Sequence, residues 1–163
     1  MKTLYIIRHA KSSWEDPDLD DFDRPLNDRG EKDAPRMGKR LHKMNVQTNL
    51  ICSSPANRAL TTAKYIAEAI HYPDHAIVEN PRLYHAGDDR ILDIIRTFDP
   101  GIETAMIVGH NPGLTDFVNA LLGEGIRNIP TAGVVGGRLK INLWKEAKWS
   151  CGGMFLFEYP KKD

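Results

Sequence analysis

Six short apolar segments are spread along the chain, and a segment with helical periodicity follows each of the first four. Strands that alternate with helices in this way form parallel sheets covered by helices on both faces. The pattern therefore predicts an α/β fold, a three-layer α/β/α sandwich with a mainly parallel sheet and antiparallel C-terminal edge strands. The predicted strands are Thr3–Ile7, Asn49–Cys52, Ala76–Val78, Thr104–Val108, Val134–Leu143 and Met154–Tyr159.

Four helices are predicted from apolar residues that recur every three or four positions. They cover Asp28–Met44, Arg58–Ile70, Arg90–Phe98 and Leu114–Leu122. Pro35 falls inside the first of them, so we expect that helix to start late or to kink there. Gly136-Gly137 interrupts the fifth strand and predicts a bulge or a turn.

Length and charge limit the classes of function. The 163 residues suit a single domain over 1–163, and 22 basic residues balance 22 acidic ones. A neutral balance argues against a nucleic-acid partner, and no apolar stretch approaches the roughly 20 residues of a membrane span. The two cysteines lack metal-ligand spacing, and the apolar run at the start of the chain is too short for a signal peptide. We therefore expect a cytoplasmic protein.

Polar residues follow three of the predicted strands. The first strand ends at Arg8-His9, the second is followed by Arg58 in the next helix, and the fourth ends at His110. Ligands of parallel α/β sheets bind beyond the carboxyl ends of the strands. We therefore expect two arginines and two histidines at one edge of the sheet.

Two predicted helix starts add to this edge. Ser54-Pro55 and Asn111-Pro112 each have the pattern of an N-cap followed by proline at the first helical position. Free N–H groups at helix starts attract anions, and guanidinium groups match the oxygens of phosphate. The sequence thus predicts a pocket for a compact dianion such as phosphate.

The segment Arg8–Trp14, Arg-His-Ala-Lys-Ser-Ser-Trp, resembles the N-terminal signature of the histidine phosphatase superfamily, the phosphoglycerate mutase-like proteins. Arg24–Gly30, Ser53–Ala63 and Val108–Gly113 fit the family's further motifs in the same order. The short chain and the Arg-His-Ala-Lys-Ser start are most similar to the SixA-type phosphohistidine phosphatase branch. This resemblance implies a phosphoglycerate mutase-like fold.

The resemblance also implies the role of each site residue. His9 would be the nucleophile and form a covalent phosphohistidine, while Arg8, Arg58 and His110 would bind the phosphoryl group. Phosphoryl transfer depends mainly on positioning and charge stabilisation, so no metal and no cofactor is expected where two arginines supply the charge. The expected partner is a protein carrying phosphohistidine, and the alternative is a small phosphorylated metabolite.

Many superfamily members have a glutamate that donates a proton to the leaving group. This glutamate has no clear counterpart in the present sequence. The corresponding stretch is Glu79–Ala86, where Glu79 lies too early and His85 is the remaining candidate for a general acid. An alkoxide needs a positioned acid to leave, whereas an imidazole leaves readily because it accepts a proton near neutral pH. A missing acid therefore favours phosphohistidine over a phosphate ester.

Other interpretations remain open. Cys52 and Arg58 form the Cys-x5-Arg spacing of cysteine-dependent tyrosine phosphatases, but that interpretation leaves Arg8, His9 and His110 unexplained. A phosphatase of small phosphomonoesters, or a non-catalytic module that binds a phosphorylated ligand, would use the same four residues.

The stretch Glu15–Asp28 holds seven acidic residues and one basic residue. Next to a phosphate pocket, such a stretch would repel anionic metabolites and tolerate protein or cationic substrates; alternatively, it is a solvated loop. Trp14, just before it, would either form a wall of the pocket or cover the core.

Overall fold

Alternation of strands and helices is confirmed by the computed structural model, which describes residues 1–162. Strands β1 to β4 are each followed by a helix, and β5 and β6 close the chain. The strands are β1 Lys2–Arg8, β2 Leu50–Ser53, β3 Val78–Glu79, β4 Thr104–Gly109, β5 Val134–Leu139 and β6 Gly152–Glu158. The helices are α1 Asp28–Lys43, α2 Asn57–Ala69, α3 Asp88–Arg96 and α4 Gly113–Leu122.

The six strands form one sheet in the order β3-β2-β4-β1-β5-β6. The first four of these neighbours are parallel, whereas β5 pairs with β1 and with β6 in antiparallel fashion. The bulge predicted at Gly136-Gly137 is present as a register shift between β5 and β6. The predicted sandwich, with its antiparallel C-terminal strands, is therefore confirmed.

Side chains of β1 alternate between the two faces of the sheet. Leu4 and Ile6 pack with α3 and α4, while Tyr5 and Ile7 pack with α1 and α2. Such alternation follows from the two-residue repeat of a strand. Because both faces are covered, Leu4, Ile6 and Ile7 are fully buried, and each contributes roughly 1.5–3 kcal/mol.

Most predicted bounds lie within two residues of the observed ones, and three features differ for a physical reason. The first helix begins at Asp28 and continues through Pro35 without a late start. The third strand is only Val78–Glu79, because Asp74–Ala76 forms a 3-10 turn whose last carbonyl accepts from the Tyr72 hydroxyl. The fifth strand ends at Leu139, since the chain then turns to bury Trp144, whose indole N–H donates to the carbonyl of Ile102 at 2.7 Å.

The carboxyl ends of β1, β2 and β4 lie level with one another. Arg8 pairs with Gly109, and Ser53 pairs with Val108. Backbone hydrogen bonding continues one residue further, from His9 N–H to the Gly109 carbonyl at 3.1 Å and from Ser54 N–H to the Val108 carbonyl at 2.9 Å. The sheet itself thus places His9, Ser54 and His110 side by side. No helix within residues 1–162 has the length and apolarity of a membrane span.

Candidate active site

A pocket of about 210 Å³ opens at this edge of the sheet. The ring of His9 lines this pocket, and the ring of His110 lies behind it, with the two centroids 5.2 Å apart and both residues buried. The predicted convergence of residues from three strand ends is therefore found. The lining residues are Arg8, His9, Lys11, Ser12, Trp14, Arg24, Arg58 and Thr131.

His9 is fixed in one tautomer. Its Nδ1 lies 2.7 Å from the carbonyl oxygen of Ala10, and since a carbonyl only accepts, Nδ1 carries the proton. The Ala10 N–H in turn donates to the Thr62 hydroxyl oxygen at 3.0 Å, which holds this turn of the chain. Nε2 of His9 therefore keeps its lone pair.

The charge state of His9 also suits a nucleophile. Burial lowers the pKa of His9 to about 4, and the positive charges of Arg58, Arg8 and Arg24 act in the same direction. The hydrogen bond to Ala10 opposes this shift but does not cancel it. The imidazole is thus neutral near pH 7, as nucleophilic attack requires.

His110 is held by the residue that follows β2. Its Nε2 lies 2.8 Å from the Ser54 hydroxyl oxygen. Burial lowers the pKa of His110 to about 3, with further contributions from the charges of His9 and Arg58. Its Nδ1 is buried and has no hydrogen-bond partner among the described residues.

Arg8 is anchored by the segment before β5. Its Nη1 donates to the carbonyl of Ile129 at 2.8 Å, and the Asn111 amide donates to that same carbonyl at 3.0 Å. The Nε–H of Arg8 is buried without a partner in the described chain. Buried polar atoms are rarely left unpaired, so Arg8 Nε and His110 Nδ1, neither of which reaches the surface, are exceptions.

Arg58 contacts an acidic residue that the sequence analysis did not single out. Its Nη1 donates to the backbone carbonyl of Asp21 at 2.6 Å, and its Nη2 donates to the Asp21 carboxylate at 2.9 Å. Of the five N–H donors of a guanidinium group, these bonds use two and leave three for a ligand.

The Asp21 carboxylate links the side chains of three residues from separate parts of the chain. Besides Arg58, it accepts hydrogen bonds from Arg24 Nη1 at 3.0 Å and from the Tyr84 hydroxyl at 2.6 Å. Burial alone would raise the pKa of Asp21, but the bonds from Tyr84, Arg58 and Arg24 outweigh it and hold that pKa well below its usual range. Asp21 therefore stays a carboxylate and cannot donate a proton.

The acidic stretch is consequently not a loop detached from the site. A 3-10 turn over Asp21–Asp23 places Asp21 next to Arg58, and the rings of Phe22 and Tyr84 pack edge to face with centroids 5.2 Å apart. Neither Asp21 nor Tyr84 was predicted, since their roles depend on contacts between residues 63 positions apart. The one sequence signal was Arg24, which lies in a family motif and binds Asp21.

His85 lies beside this cluster and not in the pocket. It is exposed, its ring stacks on that of Tyr84 at 3.9 Å, and it makes no hydrogen bond within the described residues. Its backbone adopts a positive φ of 58°, which few non-glycine residues do.

The two predicted N-caps are wrong. Helix α2 begins at Asn57 after Ala56, and helix α4 begins at Gly113 after Pro112. The Ser54 hydroxyl contacts His110 instead, and it accepts the N–H of Ala56 at 3.3 Å. Asn111 does serve the start of α4, because its side chain accepts the N–H of Thr115 at 3.2 Å.

Cys52 points away from the pocket. It belongs to the core cluster that lies beneath α3 and α4, whereas α2, which carries Arg58, covers the other face. Burial raises the pKa of the Cys52 thiol to about 11. A thiolate nucleophile in a Cys-x5-Arg loop is therefore excluded.

Potential metal ligands are dispersed over residues 1–162. No three His, Cys, Asp or Glu side chains in this range are placed to hold a metal ion. Within this range, the Asp21 carboxylate already accepts hydrogen bonds from two arginines and a tyrosine.

Comparison with known proteins agrees with this geometry. The sequence profile of the histidine phosphatase superfamily (branch 1) matches residues 4–86. A chloroplastic protein of Arabidopsis thaliana with no assigned function is 31% identical over 154 residues, which cover 90% of this chain and 70% of that protein.

Solved structures show the same fold over nearly the whole chain. A putative phosphohistidine phosphatase SixA from Agrobacterium tumefaciens superposes with a TM-score of 0.84 at 27% identity and covers 98% of both chains. A protein histidine phosphatase SixA complexed with tungstate gives a TM-score of 0.83 at 20% identity and covers 97% of both chains. Motifs, fold and profile together place this chain in the histidine phosphatase superfamily, among its SixA-type members.

Proposed function

We propose that the protein is a phosphatase that removes the phosphoryl group of protein phosphohistidine through a covalent phosphohistidine on His9. The observation that carries this proposal is the state of His9. Its Nδ1 proton is bound to the Ala10 carbonyl, its pKa is about 4, and it lines a pocket with Arg8 and Arg58. A neutral imidazole next to two guanidinium groups is suited to attack phosphorus.

The groups around His9 suit a phosphoryl group with three terminal oxygens. Arg8 and Arg58 line the pocket, and Arg58 keeps three N–H donors without a partner in the described chain. These donors stabilise the negative charge of the oxygens as the phosphoryl group transfers. In this proposal residues 1–163 form one catalytic domain that uses no metal and no cofactor.

The reaction proceeds in two steps. His9 Nε2 forms a bond to phosphorus while the bond between phosphorus and the substrate imidazole breaks, and that electron pair goes to the imidazole. The other ring nitrogen has taken a proton from water, so the substrate leaves as neutral imidazole. Water then attacks the phosphohistidine, inorganic phosphate leaves, and His9 returns to its neutral form.

The state of Asp21 supports phosphohistidine over a phosphate ester as substrate. Ester cleavage needs an acid that protonates the departing oxygen, and Asp21 is held as a carboxylate by three donors. His85, the candidate acid, is exposed at the side of Tyr84. An imidazole leaving group needs neither. The similarity to the SixA protein of Agrobacterium tumefaciens favours the same substrate class.

Phosphate release in the presence of EDTA tests this proposal. A phosphohistidine peptide and an alkyl phosphate, whose leaving group does need an acid, are compared with wild type, His9→Ala and Cys52→Ala. We expect the peptide to be the better substrate, His9→Ala to be inactive and Cys52→Ala to retain activity per folded molecule. An active His9→Ala would contradict the mechanism, and equal rates on the two substrates would contradict the substrate class. Binding without turnover by wild type would instead indicate a binding module.

A further inference from the structure

Trp14 is the most exposed large apolar residue of the described chain, with 76% of its surface accessible. The other two tryptophans are covered to a greater extent, since Trp144 is fully buried and Trp149 is 36% exposed. Trp14 nevertheless lines the pocket that contains His9. An indole left in water at the mouth of a reaction pocket points to a ligand, because burial of its surface would be favourable.

One face of this indole is covered and fixed. The guanidinium carbon of Arg24 lies 3.2 Å from the centroid of the Trp14 ring. Arg24 is 6% exposed and is itself held by the Ser13 carbonyl at 3.0 Å and the Ser12 hydroxyl at 2.5 Å. Since Arg24 covers one face, the exposed surface includes the opposite face, which is held in a defined position.

The pocket beside Trp14 is basic. Among residues 1–162, its lining includes Arg8, Lys11, Arg24 and Arg58 and no acidic residue. These cations suit the phosphoryl group of a substrate. The group to which the phosphoryl is attached then lies toward the mouth of the pocket, where the indole stands.

We propose that the open face of Trp14 binds the imidazole ring of the substrate phosphohistidine. That ring is planar, so it stacks on an indole, and it is positively charged when its second nitrogen takes a proton. The protonated ring gains further from an indole face, and it leaves as neutral imidazole when the bond to phosphorus breaks. The inference rests on the proposed function and names the site of its leaving group.

Two substrates with the same type of bond separate the contribution of the aromatic ring from that of the phosphoryl group. Phosphohistidine peptide and inorganic phosphoramidate both carry a phosphorus–nitrogen bond, but only the first has an aromatic leaving group. The variants are Trp14→Ala, Trp14→Phe and, as a control with the same chemical change, Trp149→Ala. Trp149 is 36% exposed and is absent from the pocket lining.

We expect Trp14→Ala to lower kcat/KM for the peptide roughly threefold to tenfold and to change that for phosphoramidate less than about twofold. Trp14→Phe retains most of the peptide activity because it keeps an aromatic face, and Trp149→Ala leaves both rates near wild type. An unchanged peptide rate in Trp14→Ala overturns the inference. A loss that is equal for both substrates also overturns it, because Trp14 would then act only by supporting Arg24.

Failure of the proposed function gives a different result. Wild type would then release no phosphate from the phosphohistidine peptide, or His9→Ala would remain active on it. The Trp14 comparison is interpreted only against an active wild type and an inactive His9→Ala, so the two failures are distinguishable.

Discussion

Two parts of the active site are built in different ways. The strand-end part consists of Arg8, His9, Ser54 and His110, and the sheet's own backbone ladder sets their positions. Arg58, in the helix that follows β2, belongs to the same part. The loop part consists of residues 12–24 and 80–86, which are joined mainly by side chains. Strand ends thus place the groups suited to phosphoryl chemistry, and side-chain contacts place the groups suited to choosing a substrate.

The electrostatic character of the two parts also differs. In the strand-end part, burial lowers the pKa of both histidines and keeps them neutral. In the loop part, hydrogen bonds from Tyr84, Arg58 and Arg24 overcome the effect of burial and keep Asp21 charged. One part supplies neutral nucleophilic and hydrogen-bonding groups, and the other supplies a carboxylate that holds Arg58 and Arg24 in place.

The largest difference in kcat/KM is expected between the alanine variants of two arginines. Arg58→Ala should lower kcat/KM about 10²- to 10³-fold, because it removes donors for the phosphoryl oxygens. Arg24→Ala should lower it only about tenfold, since Arg24 acts on Trp14 and Asp21 as well as lining the pocket. Steady-state kinetics on phosphohistidine peptide measure both variants. A loss in Arg24→Ala as large as that in Arg58→Ala would remove the distinction between the two parts.

A stability measurement tests the neutral state of His9. With a pKa of about 4 when folded and an ordinary value near 6.5 when unfolded, His9 binds more protons in the unfolded chain between these values. Stability should therefore fall as the pH falls through this window. His9→Asn removes this contribution, so wild type should lose about 2 kcal/mol more than His9→Asn between pH 7 and pH 5.

Urea unfolding at the two pH values measures this difference. Asp21 does not contribute in this window, because its lowered pKa affects stability only below the ordinary value for aspartate. Equal pH dependence of wild type and His9→Asn would show that His9 is protonated in the folded protein at pH 5.

A smaller effect is expected at the junction between the two parts. Asp21→Asn keeps the shape of the side chain but loses the charge that holds Arg58 and Arg24, and we expect kcat/KM to fall roughly threefold to tenfold. Tyr84→Phe removes a single hydrogen bond to Asp21 and should cost about twofold to threefold. Steady-state kinetics of the two variants under the same conditions give the ratio of the two losses in kcat/KM. A larger loss in Tyr84→Phe would assign Tyr84 a role beyond its contact with Asp21.

Sequence could predict the strand-end part because local rules determine it. Arg8, His9 and His110 follow apolar strands directly, and parallel strands end at one edge. The loop part could not be predicted, since Tyr84 reaches Asp21 across 63 positions by a contact that no periodicity encodes. The cap at Ser54 was wrong for a related reason, because a local pattern does not show that His110 takes that hydroxyl.

The central claim is that His9 carries the phosphoryl group, and trapping the intermediate tests it most directly. Enzyme is mixed with a ³²P-labelled phosphohistidine peptide, quenched in alkali, in which phosphohistidine is stable, and digested for mass spectrometry. We predict label on the fragment containing His9 in wild type and Cys52→Ala, and none in His9→Asn. Label on Cys52 or His110, or a labelled His9→Asn, would contradict the account.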